Sequence, residues 1–216
     1  MTTSETEKPP TRRQMAAQET RQKLLRAALE HFSQRSYGEV TVGDIARTAG
    51  VAHGLLSHHF KGKEALYAEV VREVDRQLRA ATAWDSEGPV VERLRRHFTA
   101  HLRFLAANEG AALNLILRGA QGTDVASAAF EATREEGVRA ICALLGLDAD
   151  EPGLQLCIRG FAAACDEMSL LWLRNGRPVG IAALVDAWIT LLEGTVRAAY
   201  GLSPSPELRK ALDALS

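Results

Sequence analysis

TVGDIARTAGVAHGLLSHHFKGKEALYAEVV, residues 41–71, carries two short helix signals held apart by a single glycine. The Thr41 hydroxyl can cap a helix that follows it, and Asp44, third in that helix, answers at the positive end of the helix dipole. Ile45, Ala46 and Ala49 supply its apolar side. Gly50 admits the tight or left-handed backbone that lets a chain reverse within roughly three or four residues. A second helix is expected from Ala52 to His59, burying Leu56 and ending near Phe60; Gly62 introduces a longer one from Lys63 to about Ala83.

Upstream, TRQKLLRAALEHFSQRSYGEV (20–40) places Leu25, Ala28, Leu29 and Phe32 on one helical stripe that Ser36, Tyr37 and Gly38 terminate. Thr11 with Gln14 three residues on, just after Pro9 and Pro10, reads as a capping box, which allows this helix to begin near Arg12. Residues 1–10 are expected to be mobile. Downstream, breaks at 86–89, 108–110, 119–123, 146–153, 175–178 and 201–206 delimit five helices of varied length and a short terminal one, 207–215. Sustained period-two alternation is missing while apolar residues recur at three and four, so the chain reads as all-α.

The chain has 216 residues, 46% of them hydrophobic, enough to bury a core in one large or two modest domains. The N-terminus has no apolar signal-peptide region and no stretch reaches the roughly 18 apolar residues of a membrane span, so a cytoplasmic protein without a membrane partner is expected. Cys142, Cys157 and Cys165 form no CxxC pair and leave a thiol over, against a secreted disulfide framework. The net charge of -1 conceals an asymmetry: residues 8–63 hold ten Lys/Arg against four acids, and residues 64–216 hold sixteen against twenty-one. The first segment suits a polyanion and the second does not.

Two short helices around a glycine turn, inside the basic segment, form the arrangement in which the second helix enters a DNA major groove while the first crosses the phosphate backbone. Small Ala52 and Gly54 permit close approach, His53, Ser57 and His58 offer hydrogen bonds to base edges, Leu56 and Phe60 anchor the helix inward, and Lys61 and Lys63 lie where phosphates would pass. The candidate DNA contacts are Thr41, Ala52, His53, Gly54, Leu55, Ser57, His58, Lys61 and Lys63.

Over about residues 20–70 the chain resembles the DNA-binding domain of the tetracycline-repressor (TetR) family. Phe32, Thr41, Ile45, Ala46, the Ala49-Gly50-Val51 turn, Gly54, Leu56, His59, Phe60, Lys63 and Leu66 carry the match. The family commonly has aromatic residues where this chain has Ser57 and His58, a departure that bears on contacts and not on fold. The resemblance implies a homodimer that binds a palindromic operator in double-stranded DNA as a repressor and is released by a small-molecule effector, with no cofactor. The organisation expected is a mobile arm (1–19), a three-helix helix-turn-helix domain (20–66) and a helical effector-binding and dimerisation domain (67–216).

Other constellations compete. His97 and His101 stand at i, i+4, a zinc spacing to which a cysteine could add a soft ligand, so a metal-responsive repressor is an alternative; no close third ligand follows in sequence. Cys157 and Cys165, two turns apart on an apolar helix, read as small buried hydrophobes. For an enzyme, adjacent Asp166 and Glu167 point about 100° apart around a helix, and nucleophile elbow, phosphate loop and dinucleotide fingerprint are all missing, so no catalytic residues are assigned. A DNA-binding protein with no effector is a third class, and it requires a solid C-terminal core.

The helix expected from Leu154 to Arg174 is apolar nearly all round. Leu154, Ile158, Phe161, Cys165, Met168 and Trp172 share one arc of about 80°, while small residues occupy the other side. The resembled family builds its dimer from the last two long helices of each subunit. Gly160, Ala164 and Leu171 of this helix, with Leu184, Trp188 and Leu191 of the next, are accordingly expected at the dimer interface. His101, Leu117, Phe161, Cys165 and Trp172 are expected to line an effector pocket, with His97, Asn114 and Asp166 as nearby polar groups. Such walls suit a largely hydrophobic, flat or elongated organic molecule.

Overall fold

The computed structural model describes residues 11–117 and 124–215, and all regular structure among them is helical. Helix α1 (Arg12–Gln34) starts where the Thr11/Gln14 capping box closes, so residues 12–19 belong to this helix instead of to a separate arm; residues 1–10 lie outside the described residues. Helix α2 (Val42–Ala49) is bracketed by a Thr41/Asp44 capping box and by Gly50, whose φ of 66° is the left-handed value that glycine adopts without strain. Helix α3 (Gly54–Phe60) starts two residues later than the sequence suggested, because Ala52 and His53 are spent in the turn that Leu55 N–H closes on Ala52 O.

Helix α4 (Lys63–Ala81) is followed by α5 (Val90–Ala107), then a single turn, α6 (Glu109–Ala111), that runs on as a π-helical turn, Ala112–Ile116. The break expected at 119–123 lies outside the described residues. Helix α7 (Asp124–Leu145) leads to α8 (Pro152–Arg174), whose start is fixed by proline in the first turn and by Glu151, which accepts from Leu154 N–H. Helices α9 (Ile181–Leu202) and α10 (Pro206–Leu215) complete the chain.

Two cores result. In the first, Phe32 and Tyr67 meet edge to face at 4.8 Å, Tyr37 joins at 4.9 Å from Tyr67, and Leu24, Ile45, Leu56 and Leu66 are fully buried around them. In the second, Leu94 and Leu102 of α5, Ile158 of α8, Val185, Leu192 and Val196 of α9 and Leu208 of α10 interlock. Truncating a side chain as enclosed as Phe32 costs about 3–5 kcal/mol. Leu115, on the π-helical turn, is buried against the first core, and Phe104 and Ile116 pack against both.

The end of α1 is docked on that same turn. Ser33 O, one of the last four carbonyls that a helix leaves without an internal partner, accepts from Asn114 Nδ2 at 2.9 Å. Gly110 lies so near that a Cβ there would stand 2.6 Å from Ser33 O. Gly110→Ala must therefore force α1 and α6 apart, and we expect a loss of about 1–3 kcal/mol of stability, measured as a lower urea midpoint with an unchanged slope.

Candidate nucleic-acid interface and internal cavity

On α3 the inward side chains Leu56 and Phe60 are 0% and 4% exposed, and the guanidinium of Arg21 lies over the Phe60 ring at 4.8 Å while pairing with Glu69 at 3.1 Å. Thus locked from below, the helix turns Ala52, His53, Gly54, Ser57 and His58 to solvent, with Leu55 half-buried at their edge. Thr41 is exposed at the start of α2, its hydroxyl engaged with Asp44 Oδ2 at 2.8 Å. Lys61 is exposed in the left-handed region, φ 61°. Lys63 is half-buried, with its ammonium 4.1 Å from the centre of the Tyr37 ring, and burial draws its pKa below the ordinary lysine value. The nine candidate contact residues thus gather along α3 and at the two ends of the helix pair.

Behind this head, a cavity of about 490 Å3 opens between α4, α5, the π-helical turn, α7, α8 and α9. Its apolar walls are Val71 and Leu78 of α4, Phe98, Leu115, Ile141, Phe161 and Trp188. Trp84 stacks flat on His97, centroids 3.8 Å apart, and His97 Nδ1 is 2.8 Å from Thr82 O. His101 meets Trp188 edge to face at 5.8 Å; burial, with His97 adding to it, lowers its pKa to about 4, so its imidazole is neutral at pH 7. Charged groups occupy one side. Arg79 pairs with Asp75 and Glu136, and Arg134 pairs with Asp166 at 2.6 Å; burial raises the Asp166 pKa against the pull of Arg134. Burial also pushes the Cys165 thiol well up, which keeps it protonated and unreactive. No group of three or more His, Cys, Asp or Glu side chains among the described residues is placed to hold a metal ion.

Residues 24–70 match the family model of the bacterial regulatory proteins of the tetR family. The chain carries a TetR-family N-terminal domain. Over 54 residues it is 46% identical to the HTH-type transcriptional regulator AcrR of Shigella flexneri, a match that spans 25% of either chain. The chain is therefore matched over about a quarter of that relative's length. Solved structures extend the likeness of fold to the remaining helices. A tetR-family transcriptional regulator from Streptomyces coelicolor superposes with a TM-score of 0.76 at 24% identity, over 92% of this chain and 88% of its own. The transcriptional regulator FadR of Bacillus subtilis in complex with stearoyl-CoA gives 0.59 at 22% identity, over 79% and 96%.

Within this TetR-type fold the expected pocket residues separate. His101, Phe161 and Cys165 line the cavity, as do the polar neighbours His97 and Asp166. Trp172 does not: it is buried elsewhere, its Nε1 donating to Val179 O at 2.8 Å, because it stands two turns of α8 beyond Cys165, past the end of the cavity. Leu117 closes the π-helical turn outside the cavity, and Asn114 is committed to Ser33. The expected dimer residues divide too. Gly160 and Leu171 are exposed, and Ala164 and Leu191 are half-buried. Leu184 and Trp188 are 6% and 3% exposed within the single chain, which removes them from an interface on the outer surface. Helix α9 is apolar on two sides, and the side that carries the tryptophan packs against Phe98 and His101.

The sequence reading missed the contribution of α4 and α7 to the cavity, above all Asp75. Its signal was an acid set in an apolar stripe, four residues after Val71 and three before Leu78, at the position where a solvent-facing helix would carry another aliphatic side chain.

A neutral, enclosed His101 makes stability depend on pH. The unfolded chain titrates this histidine near 6.5 and the folded chain near 4, so between those values the unfolded state binds more protons. Stability contributed by His101 is complete above about pH 6.5 and falls as pH drops toward about 4, amounting to about 2 kcal/mol by pH 5. Melting temperatures taken from pH 7.5 to 4.5 are expected to fall more steeply for the native chain than for His101→Asn.

Proposed function

We propose that this protein is a cytoplasmic DNA-binding transcriptional regulator, a homodimeric repressor that holds a palindromic operator and leaves it when a small hydrophobic molecule fills the internal cavity. The observation that carries the DNA-binding reading is the outward face of α3. Gly54, Ser57 and His58 of a helix pinned by Leu56 and Phe60, with His53 in the turn just before it, are exposed to solvent in a segment with ten basic residues against four acids. That is the presentation that a major groove requires. No helix among the described residues is long and apolar enough to cross a membrane, in keeping with this reading.

The homodimer reading is supported by an unpartnered side of the last long helices. On α8, Leu156 and Leu171 are 72% and 48% exposed with Gly160 and Ala163 between them, and on α9 Ala183, Ala187, Gly194 and Leu202 are exposed along one face. Small residues let two helices of one subunit close on the same two of another, and a twofold dimer presents its recognition helices about 34 Å apart, one turn of DNA. The effector reading is supported by the cavity itself, since a regulator without an effector needs none. Its lining reaches α4, the helix that carries the head, and the fold is shared with a FadR that is bound to stearoyl-CoA.

Selection of bound sites from random DNA tests the DNA-binding reading, and a palindrome is expected. On the selected site His53→Ala should relax base preference. Lys61→Ala should weaken all sequences alike and lessen the slope of log affinity against log salt by about 0.9 for one lost phosphate contact; an unchanged slope would remove Lys61 from the interface.

The dimer is tested separately. Leu171→Glu places a charge on the exposed face without touching either core, so a folded monomer is expected in light scattering, with operator binding weakened at least tenfold. A stable dimer would place the interface elsewhere.

A further inference from the structure

Asp75 Oδ1 and Trp188 Nε1 line the cavity and are buried without a hydrogen-bond partner among the described residues. Their side chains are 6% and 3% exposed. Asp75 uses its other oxygen on Arg79, on the charged side of the cavity, and leaves Oδ1 without a donor among the described residues. Trp188 stands at steep ring angles to Phe98 and His101, 79° and 60°, and its indole N–H has no hydrogen-bond acceptor among the described residues. A buried polar group gains by acquiring a partner, the more so when it is charged, so a ligand that meets both atoms is favoured over one that meets neither.

The charges select the sign. Of the ionised groups lining the cavity, three are carboxylates (Asp75, Glu136, Asp166) and two are guanidiniums, Arg79 and Arg134, both already paired with those carboxylates. An entering anion would meet no uncommitted cation among the described residues and would lie against a bare carboxylate oxygen. The remaining wall is broad and aromatic, and about 490 Å3 falls in the drug-sized range of about 300–1,000 Å3.

We propose that this cavity takes a ring-bearing amphiphile, neutral or cationic, whose donor meets Asp75 Oδ1 and whose acceptor meets Trp188 Nε1, and that it rejects carboxylates and other anions. The inference rests on the reading of the cavity as the effector site, and it sets this chain apart from a regulator of the same fold that holds the polyanionic stearoyl-CoA.

Three matched probes test it on the full chain: anthracen-9-ylmethanol, anthracen-9-ylmethylammonium and anthracene-9-carboxylate, titrated by their own fluorescence. The alcohol and the ammonium are expected to bind the native protein about tenfold or more tighter than the carboxylate, as one charge-assisted hydrogen bond allows. Asp75→Asn should weaken the ammonium by about tenfold and the alcohol by less than about threefold, because the amide oxygen still accepts from a hydroxyl. Trp188→Phe should weaken the alcohol several-fold and leave the ammonium, which has no acceptor, nearly unchanged. Equal binding of the three, or a preference for the carboxylate, overturns the proposed chemistry and leaves the effector site standing. If none of the three binds, the effector-site reading fails and this inference with it. The comparison on the native chain decides the sign of the ligand even if a variant does not fold.

Discussion

Helix α4 has to satisfy two cores at once. Its first half gives Leu66, Tyr67, Val70 and Val74 to the packing around Phe32, and its second half gives Asp75, Leu78 and Arg79 to the cavity wall. A helix is stiff over this length, so the turn that faces the cavity and the turn that packs on α3 move as one body. Val71 belongs to both, buried in the head core and lining the cavity. Any molecule that binds the cavity with different affinity in two poses of α4 biases the pose of the head by that difference and by nothing else. The rest of the architecture keeps this shared helix the main continuous element between the two units.

How far the sequence disclosed this depends on how local each feature is. The Thr41/Asp44 and Thr11/Gln14 capping boxes, the left-handed Gly50 and the inward Leu56 and Phe60 are written within a few residues of where they act, and all of them stand in the structure as the spacing implied. The cavity is assembled from helices distant in sequence, so only some of its members, His97, His101, Phe161, Cys165 and Asp166, could be anticipated. Where a helix is apolar on both sides the periodicity cannot tell which side meets which neighbour. Trp188 was misplaced for that reason, and Trp172 because an arc drawn over five turns outruns the cavity it borders. Asp75 shows the complementary case, in which a polar residue interrupting an apolar stripe marks a functional surface more sharply than the stripe itself.

The cavity and the DNA head also differ in how they are held. The head is small and closed, with aromatic rings wedged at 4.8 and 4.9 Å and its charged residues tied across the surface by Arg21–Glu69 and Arg35–Asp44 pairs. The body has its own closed core around Leu102, Val185 and Leu192, and the cavity lies beside it.

The contact between α1 and α6 has its own consequence. Ser33 O rests against Gly110 with no side chain between them and is held by Asn114 from the same turn. The close approach of the two main chains leaves room for no side chain at position 110, and among the described residues the Asn114 amide is the one side chain that bonds to Ser33 O there. At this point the distance between α1 and α6 is set by backbone against backbone, so glycine at 110 is a condition of how the N-terminal helices seat on the rest of the chain.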